Sequence, residues 1–281
     1  MTTPAAAGPL TEATLLVSDA ATVARAYAAL GLSVLARESI SPTQAQAWGQ
    51  PQLAGCASCQ LAGASGARLL RLIEVPGASP RATRFGHGWL ALEILVRDVD
   101  ALWAPAQAAG FEILGPPADL DISPHIRAMQ VLGPVGEMLY LTQVKAPVPP
   151  FDLPLSSDIA PQHNVDRLFI AVLSTPSRAQ TLTRCAPLTP LSSLQFETRV
   201  TVLNRALGRP LEQRWPLATV QWAGQSLFEI DEVNDAKVQT PRPGVLPEGL
   251  AWITLQAPVA QPLLQEISPG AWLETVGVGA G

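Results

Sequence analysis

The chain has few cysteines, few charges and no long hydrophobic run, and each shortage excludes a class of protein. Its 281 residues include three cysteines, too few for the disulfide framework of a small secreted protein. Charged residues make up 15% and the net charge is −5, so the basic surface that nucleic acid requires is missing. No apolar stretch approaches the ~18 residues of a membrane span, and no signal-peptide pattern is present. We therefore expect a cytoplasmic protein that binds neither nucleic acid nor membrane.

The chain does contain enough apolar residues for packed cores. Hydrophobic residues make up 48% of the sequence, and the mean hydropathy is +0.22. Domains commonly span roughly 100–200 residues, so this length favours two domains over one. The composition thus predicts a globular chain of two domains.

Residues 86–144 predict one complete unit of a strand, a helix and three further strands. The run WLALEILV at 89–96 alternates large apolar residues with others, which is the period of a half-buried strand. Asp98 is placed to cap the helix, and Gly110 is placed to end it. The sequence beyond Gly110 resumes an extended pattern.

The last two strands of this unit, 126–132 and 137–142, flank the sequence GPVG and predict a hairpin. The turn reads GPVGE at 133–137, and the helix begins with RDVDA at 97–101. A βαβββ unit with these two sequences resembles the half-barrel module of the vicinal oxygen chelate superfamily, which includes glyoxalase I, bleomycin-resistance proteins and extradiol dioxygenases. The resemblance implies an α+β fold in which tandem βαβββ modules form a bowl-like half-barrel of mixed sheet around a cleft.

Residues 10–75 repeat the layout of residues 86–144, so the chain contains an internal repeat. In this first copy Asp19 is placed to cap a helix that Gly31 ends, and residues 52–61 predict a strand. We expect these two modules to form one bowl with the main cleft, in a domain that spans 1–146. Residues 147–164 contain five prolines and predict a linker.

Residues 165–281 predict a second pair of modules that is diverged and incomplete. A third βαβββ module is followed, after residue 250, by a truncated fourth module. A truncated module leaves one side of its half-barrel open and apolar. We therefore expect either extensive packing of the C-terminal half on the N-terminal half or a homodimer.

Alternation along each strand assigns one set of side chains to the core and the other to the cleft. An even-numbered hairpin loop would place Arg127 opposite Thr142, and would turn His125 and Arg127 towards the cleft. The predicted cleft residues are Glu12, Ser58, Arg71, Trp89, Glu93, His125, Arg127, Met138 and Tyr140.

The resemblance implies metal ligands, mostly His and Glu, on the first and fourth strands of each module. The matching positions here are Glu12, Arg71, Ala91 and Tyr140. Arginine and alanine cannot bind a divalent cation and neutral tyrosine rarely does, so we expect no metal and no other cofactor. Two alternatives stay open. One is a rebuilt metal site of Glu12, Glu93 and His125, and the other uses Glu229, which matches the glutamate position of the third module.

Two carboxylates, arginines, a tyrosine and an apolar wall suit a small organic anion or carbonyl compound as substrate. Arg71 would hold the negative oxygen, and Glu93 would abstract a proton beside the carbonyl, with Glu12 and His125 as further catalytic candidates. Glu12 and Arg71 would equally well form a structural ion pair between neighbouring strands. The predicted substrate-binding residues are Arg71, Tyr140, Trp89, Arg127, Ser58 and Met138.

Three functions follow from this cleft. The first is a metal-independent enzyme of isomerase, lyase or hydratase type that transfers a proton. The second is a non-catalytic protein that sequesters a ligand, as bleomycin-resistance proteins do. The third is a metal-dependent dioxygenase or glyoxalase with unorthodox ligands.

Overall fold

The computed structural model describes residues 6–78, 85–120, 123–234, 236 and 247–277, and far more of them lie in β-strands than in helices. The strands are β1 (Leu10–Val17), β2 (Ser33–Ser39), β3 (Ala57–Ala62), β4 (Arg68–Glu74), β5 (Gly88–Val96), β6 (Glu112–Leu120), β7 (Ser123–Leu132), β8 (Met138–Val144), β9 (Val165–Thr175), β10 (Ser192–Arg199), β11 (Arg214–Trp222), β12 (Ser226–Glu232), β13 (Gly249–Ala257), β14 (Leu263–Ser268) and β15 (Ala271–Gly277). The α-helices are α1 (Ala20–Ala29), α2 (Pro42–Ala47), α3 (Trp103–Ala108), α4 (Arg178–Cys185) and α5 (Thr201–Ala206). Short 3-10 helices lie at Pro51–Leu53, Asp100–Leu102, Ser156–Asp158 and Ala186–Leu188. None of the described helices has the length and apolar character to span a membrane.

The first helix has the boundaries that its sequence predicts. The Asp19 carboxylate accepts a hydrogen bond from the backbone N–H of Thr22 at 2.9 Å, which satisfies a free donor of the first turn. Val23 and Tyr27 occupy the buried face. Gly31 follows the helix with φ +103°, a conformation that glycine adopts without strain.

The strands form two mixed sheets, and each sheet joins two modules. One sheet has the order β14-β15-β13-β1-β4-β3-β2, and the other has the order β10-β11-β12-β9-β5-β8-β7-β6. The α+β class with half-barrels built from βαβββ modules is confirmed. However, module one (β1–β4) shares its sheet with module four (β13–β15), and module two (β5–β8) with module three (β9–β12).

The predicted bowl of modules one and two is therefore wrong. β1 pairs antiparallel with β13, and β5 pairs antiparallel with β9. A sequence repeat shows which modules are alike, whereas neighbours in space are decided by which strand edges pair. Since module one completes the sheet of the short module four, the C-terminal half packs on the N-terminal half within one chain.

The two sheets share one hydrophobic core, and each keeps a second, concave face. The largest cluster of buried side chains contains Leu72 of β4, Leu92 of β5 and Ile253 of β13, so it spans both sheets. Separate clusters lie on the two concave faces. Between the sheets, the Trp89 indole N–H donates to the carbonyl oxygen of Trp272 at 2.6 Å. The concave faces are the surfaces that remain for ligands.

The hairpin of module two has a five-residue loop, so its register differs from the prediction. Leu132 pairs with Met138, and Glu137 belongs to the loop. The buried Glu137 carboxylate accepts hydrogen bonds from the Tyr27 hydroxyl at 2.5 Å and from the backbone N–H of Val135 at 3.0 Å. Because these bonds hold Glu137 out of the strand, every residue of β7 moves by one position relative to β8.

We expect Gly88→Ala to destabilise the fold more than Gly31→Ala. Both glycines have positive φ, +112° and +103°, so alanine meets similar backbone strain at each. A Cβ at Gly88 would lie 2.6 Å from the carbonyl oxygen of Gly270, whereas a Cβ at Gly31 would meet no atom within 4 Å. Overpacking adds about 1–3 kcal/mol to the loss at Gly88. Urea unfolding of both variants measures the difference, and equal losses would contradict the close approach of the sheets.

Candidate ligand cavity and the closed half-barrel

A cavity of about 350 Å³ opens on the concave face of the eight-stranded sheet. This volume lies in the range of small-molecule sites. Side chains from modules two and three line it, together with the segment that connects them. Its floor carries Glu93, Tyr140 and Glu229.

Strand register places these three polar side chains on the floor. Glu93 of β5 lies directly opposite Tyr140 of β8. Glu229 lies on β12, and β9 runs between β12 and β5. The strands that carry the two glutamates are thus about 10 Å apart, a gap that two extended carboxyl side chains narrow. The Thr142 hydroxyl donates to Glu93 Oε2 at 3.1 Å and helps to orient that carboxyl group.

Burial changes the proton affinity of both glutamates. Burial first, and the charge of Glu229 second, raise the pKa of Glu93 to about 8. Burial also raises the pKa of Glu229 to about 7. Because ionisation of one carboxyl opposes ionisation of the other, the pair holds a shared proton near neutral pH. The pKa of Tyr140 is raised by burial and by the nearby carboxylates, so its hydroxyl stays a hydrogen-bond donor.

A third carboxyl group lies behind Glu229. Asp231 is two residues further along β12 and therefore on the same face, with 0% of its surface exposed. Neither of its carboxyl oxygens has a hydrogen-bond partner among the described residues. Burial, and then the charge of Glu229, raise the pKa of Asp231 well above its ordinary value. Asp231 is not among the predicted cleft residues, although the alternation of Leu227, Glu229 and Asp231 along β12 indicates that it shares their face.

The predicted linker forms part of the cavity wall. Phe151 and Leu153 line the cavity and cover its floor. Gln221 of β11 holds this segment, since its side chain accepts from the backbone N–H of Asp152 at 3.3 Å and donates to the Asp152 carbonyl at 3.2 Å. The other apolar lining residues are Leu114, Leu120, Ile126, Ala128, Ile170, Phe196, Val200, Leu217 and Leu227. The proline-rich segment predicted as a linker is therefore packed against the sheet.

Charged residues surround the cavity mouth. Arg199 pairs with Glu212 at 2.9 Å. Asp119 pairs with Lys145 at 2.8 Å and with Arg127 at 3.5 Å. Arg205 of α5 also lines the cavity. Within the described residues, its side chain has no hydrogen bond or ion pair.

Of the nine predicted cleft residues, Glu93 and Tyr140 line the cavity. Met138 is buried in the apolar cluster around the floor. His125 is exposed on β7, and Arg127 points outward to Asp100, whose carboxylate it contacts at 2.8 Å. The predicted orientation of His125 and Arg127 is wrong because the five-residue loop pairs Ala128 with Thr142 and turns the other β7 face inward.

Trp89 does not face the cavity either. A β-bulge between Trp89 and Ala91 shifts the alternation of β5. The Trp89 ring therefore lies in the shared core and packs edge-on against Phe228, with ring centres 5.1 Å apart. This correction removes Trp89 from the predicted substrate-binding set.

Glu12, Ser58 and Arg71 lie in the other sheet, where the half-barrel of modules one and four is closed. The Arg71 guanidinium pairs with Glu12 and, at 3.1 Å, with Glu274. Its carbon Cζ lies 5.1 Å from the centre of the Trp48 ring, and the Trp48 indole N–H donates to Glu274 at 2.7 Å. A guanidinium thus occupies the middle of this half-barrel and balances its carboxylates.

A segment between β2 and β3 fills the remaining space of that half-barrel. The sequence predicted a strand from residue 52, but α2 and a 3-10 helix precede β3. Trp48 and Leu53 from this segment pack against Ile73 and Trp252. Ser58 is buried in β3 beside it. The side chains of this segment and the Arg71 cluster therefore occupy the cleft predicted for module one.

The described side chains do not fit the metal ion that the superfamily resemblance implies. Glu12, Glu93 and His125 lie in different places, so the rebuilt site of these three residues is wrong. In the described parts of the chain, no group of three or more His, Cys, Asp or Glu is placed to hold a metal ion. The cavity floor offers two glutamates and a neutral phenol, without an imidazole.

Comparison with known proteins relates the fold to solved structures. No protein-family model matches the chain, and no curated protein matches it in sequence. A protein named as a candidate dioxygenase from Bacillus subtilis superposes with a TM-score of 0.65 at 10% identity, over 99% of this chain and 87% of that chain. Glyoxalase I from Zea mays superposes with a TM-score of 0.58 at 13% identity, over 95% of this chain and 92% of that chain. At these identities the likeness establishes the fold.

We expect Arg71→Met to destabilise the protein by about 3–5 kcal/mol, because it leaves two buried carboxylates without their cation. The exposed Arg25, bonded to Thr22 on α1, provides the control Arg25→Met. Urea unfolding at pH 7 measures both variants. Equal stability of the two would show that Arg71 does not hold the closed half-barrel together.

The raised pKa values also predict how stability depends on pH. Between the ordinary glutamate pKa of 4.5 and the value of about 8 at Glu93, the folded protein binds more protons than the unfolded chain. The free energy of unfolding should therefore fall as the pH rises through this window. Glu93→Gln removes one of these groups and should make the fall shallower, whereas Glu38→Gln on exposed β2 should not. Thermal unfolding from pH 5 to 8 tests this, and an unchanged slope in Glu93→Gln would refute it.

Proposed function

Since the chain has the fold of the vicinal oxygen chelate superfamily, we propose that it is a small-molecule enzyme that transfers a proton beside a carbonyl group without a metal ion. The reaction class is that of isomerases, lyases and hydratases. One observation supports this above the others: Glu93 and Glu229 come from different modules, face one cavity and have pKa values near neutral pH. A carboxyl group with such a pKa is an effective acid or base under physiological conditions.

The two glutamates take complementary roles in this proposal. Near neutral pH the coupled pair carries one carboxylate and one carboxylic acid, and we assign the carboxylate to Glu229, which accepts the proton of the carbon next to the carbonyl. The electron pair of the broken C–H bond forms a C=C bond, and the π electron pair of the carbonyl moves to its oxygen. Glu93, which still carries its proton, protonates that oxygen, and the Tyr140 hydroxyl donates a hydrogen bond to it. The base assigned to Glu93 from the sequence thus becomes Glu229, and Glu93 becomes the acid.

A second function is favoured by the apolar wall. Phe151, Phe196 and Tyr140 surround the cavity, and aromatic side chains can hold a flat ligand without any reaction. The protein would then sequester a small aromatic compound, as a bleomycin-resistance protein would. The donor set of the floor gives no support to a metal-dependent dioxygenase or glyoxalase.

Exchange of carbon-bound protons distinguishes the two functions without knowledge of the natural substrate. The protein is incubated in D₂O with a panel of small ketones and keto acids, and NMR measures deuterium at the carbon beside the carbonyl. An enzyme should catalyse exchange, and Glu229→Gln and Glu93→Gln should each slow it by about 10²-fold or more, with little change in affinity. Glu38→Gln serves as the surface control.

A ligand that binds without exchange would contradict the enzyme. Unchanged affinity in both glutamine variants would then support sequestration. Exchange that survives both substitutions would show that the reacting carbon lies away from this floor.

A further inference from the structure

The cavity has different polarity at its two ends. The floor carries the carboxyl groups of Glu93 and Glu229, which share negative charge at neutral pH. A belt of apolar side chains follows, including Phe151, Leu153 and Leu217. The mouth carries arginine side chains. A ligand that fills this cavity has to match that order of groups.

The positive charge at the mouth that has no partner among the described residues comes from one side chain. Arg199 is paired with Glu212, and Asp119 is paired with Lys145 and Arg127, so these lining charges are balanced. Arg205 lines the same cavity and has no such partner within the described residues. Its guanidinium is therefore available for paired, charge-assisted hydrogen bonds to a carboxylate.

The floor, in contrast, repels an anionic group. Buried carboxyl groups without a cation lose energy when further negative charge approaches, since the local dielectric constant is low. A neutral carbonyl oxygen meets no such penalty, because the Tyr140 hydroxyl can donate to it. The net charge of −5 gives the protein as a whole no attraction for anions, so the preference would arise locally at the mouth.

We propose that the ligand of this cavity is an amphipathic monoanion: its carboxylate pairs with Arg205 at the mouth, its apolar body lies in the belt, and its carbonyl end reaches the floor. Arg205 is then the residue that determines specificity for an anion. The identity of the reacting end rests on the proposed function, whereas the anion preference rests on the mouth alone. The role predicted for Arg71 thus passes to an arginine of module three.

4-Acetylbenzoate is a suitable probe, because it carries a carboxylate and a methyl ketone at opposite ends of an aromatic ring. Its methyl ester has nearly the same shape without the charge. By calorimetry at pH 7, the acid should bind about 10-fold more tightly than the ester, which is the difference expected for one charge-assisted pair. Arg205→Gln should lower the affinity for the acid to that for the ester and leave the affinity for the ester unchanged. Arg205→Lys should keep part of the preference for the acid over the ester, and the surface control Arg25→Gln should keep all of it.

Three results would overturn the proposal: equal affinity for acid and ester, a preference that survives Arg205→Gln, or no binding of the acid at millimolar concentration. Thermal unfolding of Arg205→Gln checks that the variant is folded, and Arg205→Lys separates charge from packing of α5. Proton exchange of the same probe in D₂O is a separate measurement. Tighter binding of the acid without proton exchange would contradict the proposed enzyme and support the proposed ligand class. Proton exchange without tighter binding of the acid would support the enzyme and contradict the ligand class.

Discussion

The antiparallel pairing of β5 with β9 is the contact on which the candidate site depends. These two strands are the first of modules two and three, and nearly all of their residues are buried. Their pairing places Glu93 opposite Ile170, and β12, with Glu229, lies on the far side of β9. Neither module alone has both carboxyl groups, so the floor exists only where the two strands meet. The connecting segment then closes the wall with Phe151 and Leu153.

The two half-barrels are built from the same kind of module but differ in whether a cation lies between their buried carboxyl groups. In the closed one, Arg71 stands between Glu12 and Glu274, and Trp48 covers the guanidinium. The guanidinium forms an ion pair with each carboxylate, although burial still raises the pKa of Glu12 above its ordinary value. In the open one no such cation is present among the described residues, so burial raises the pKa of Glu93 and Glu229. The same module thus holds its buried carboxyl groups with or without a neighbouring cation, depending on a single arginine and the tryptophan that covers it.

Local features of the fold could be predicted from the sequence, and features of long range could not. The Asp19 cap and the Gly31 terminus of α1 depend on neighbouring residues alone. The alternation of side chains along β5 and β8 is also local, and it assigned Glu93 and Tyr140 to one face. The predicted orientation of side chains was wrong where a single extra residue changes the strand register. The five-residue loop reversed His125 and Arg127, and the bulge in β5 reversed Trp89. The pairing of modules failed because it depends on strand edges far apart in the chain.

The buried carboxyl cluster lowers the stability of the fold, which raises the question of why it is present. Asp231 is fully buried with both carboxyl oxygens unpaired among the described residues. An unpaired buried polar group lowers stability by about 1–3 kcal/mol, and an apolar side chain of similar shape would avoid that loss. Asp231, Glu229 and Glu93 together place three carboxyl groups on one concave surface. Packing does not account for these carboxyl groups, whereas the proposed acid–base role of the cavity would account for them.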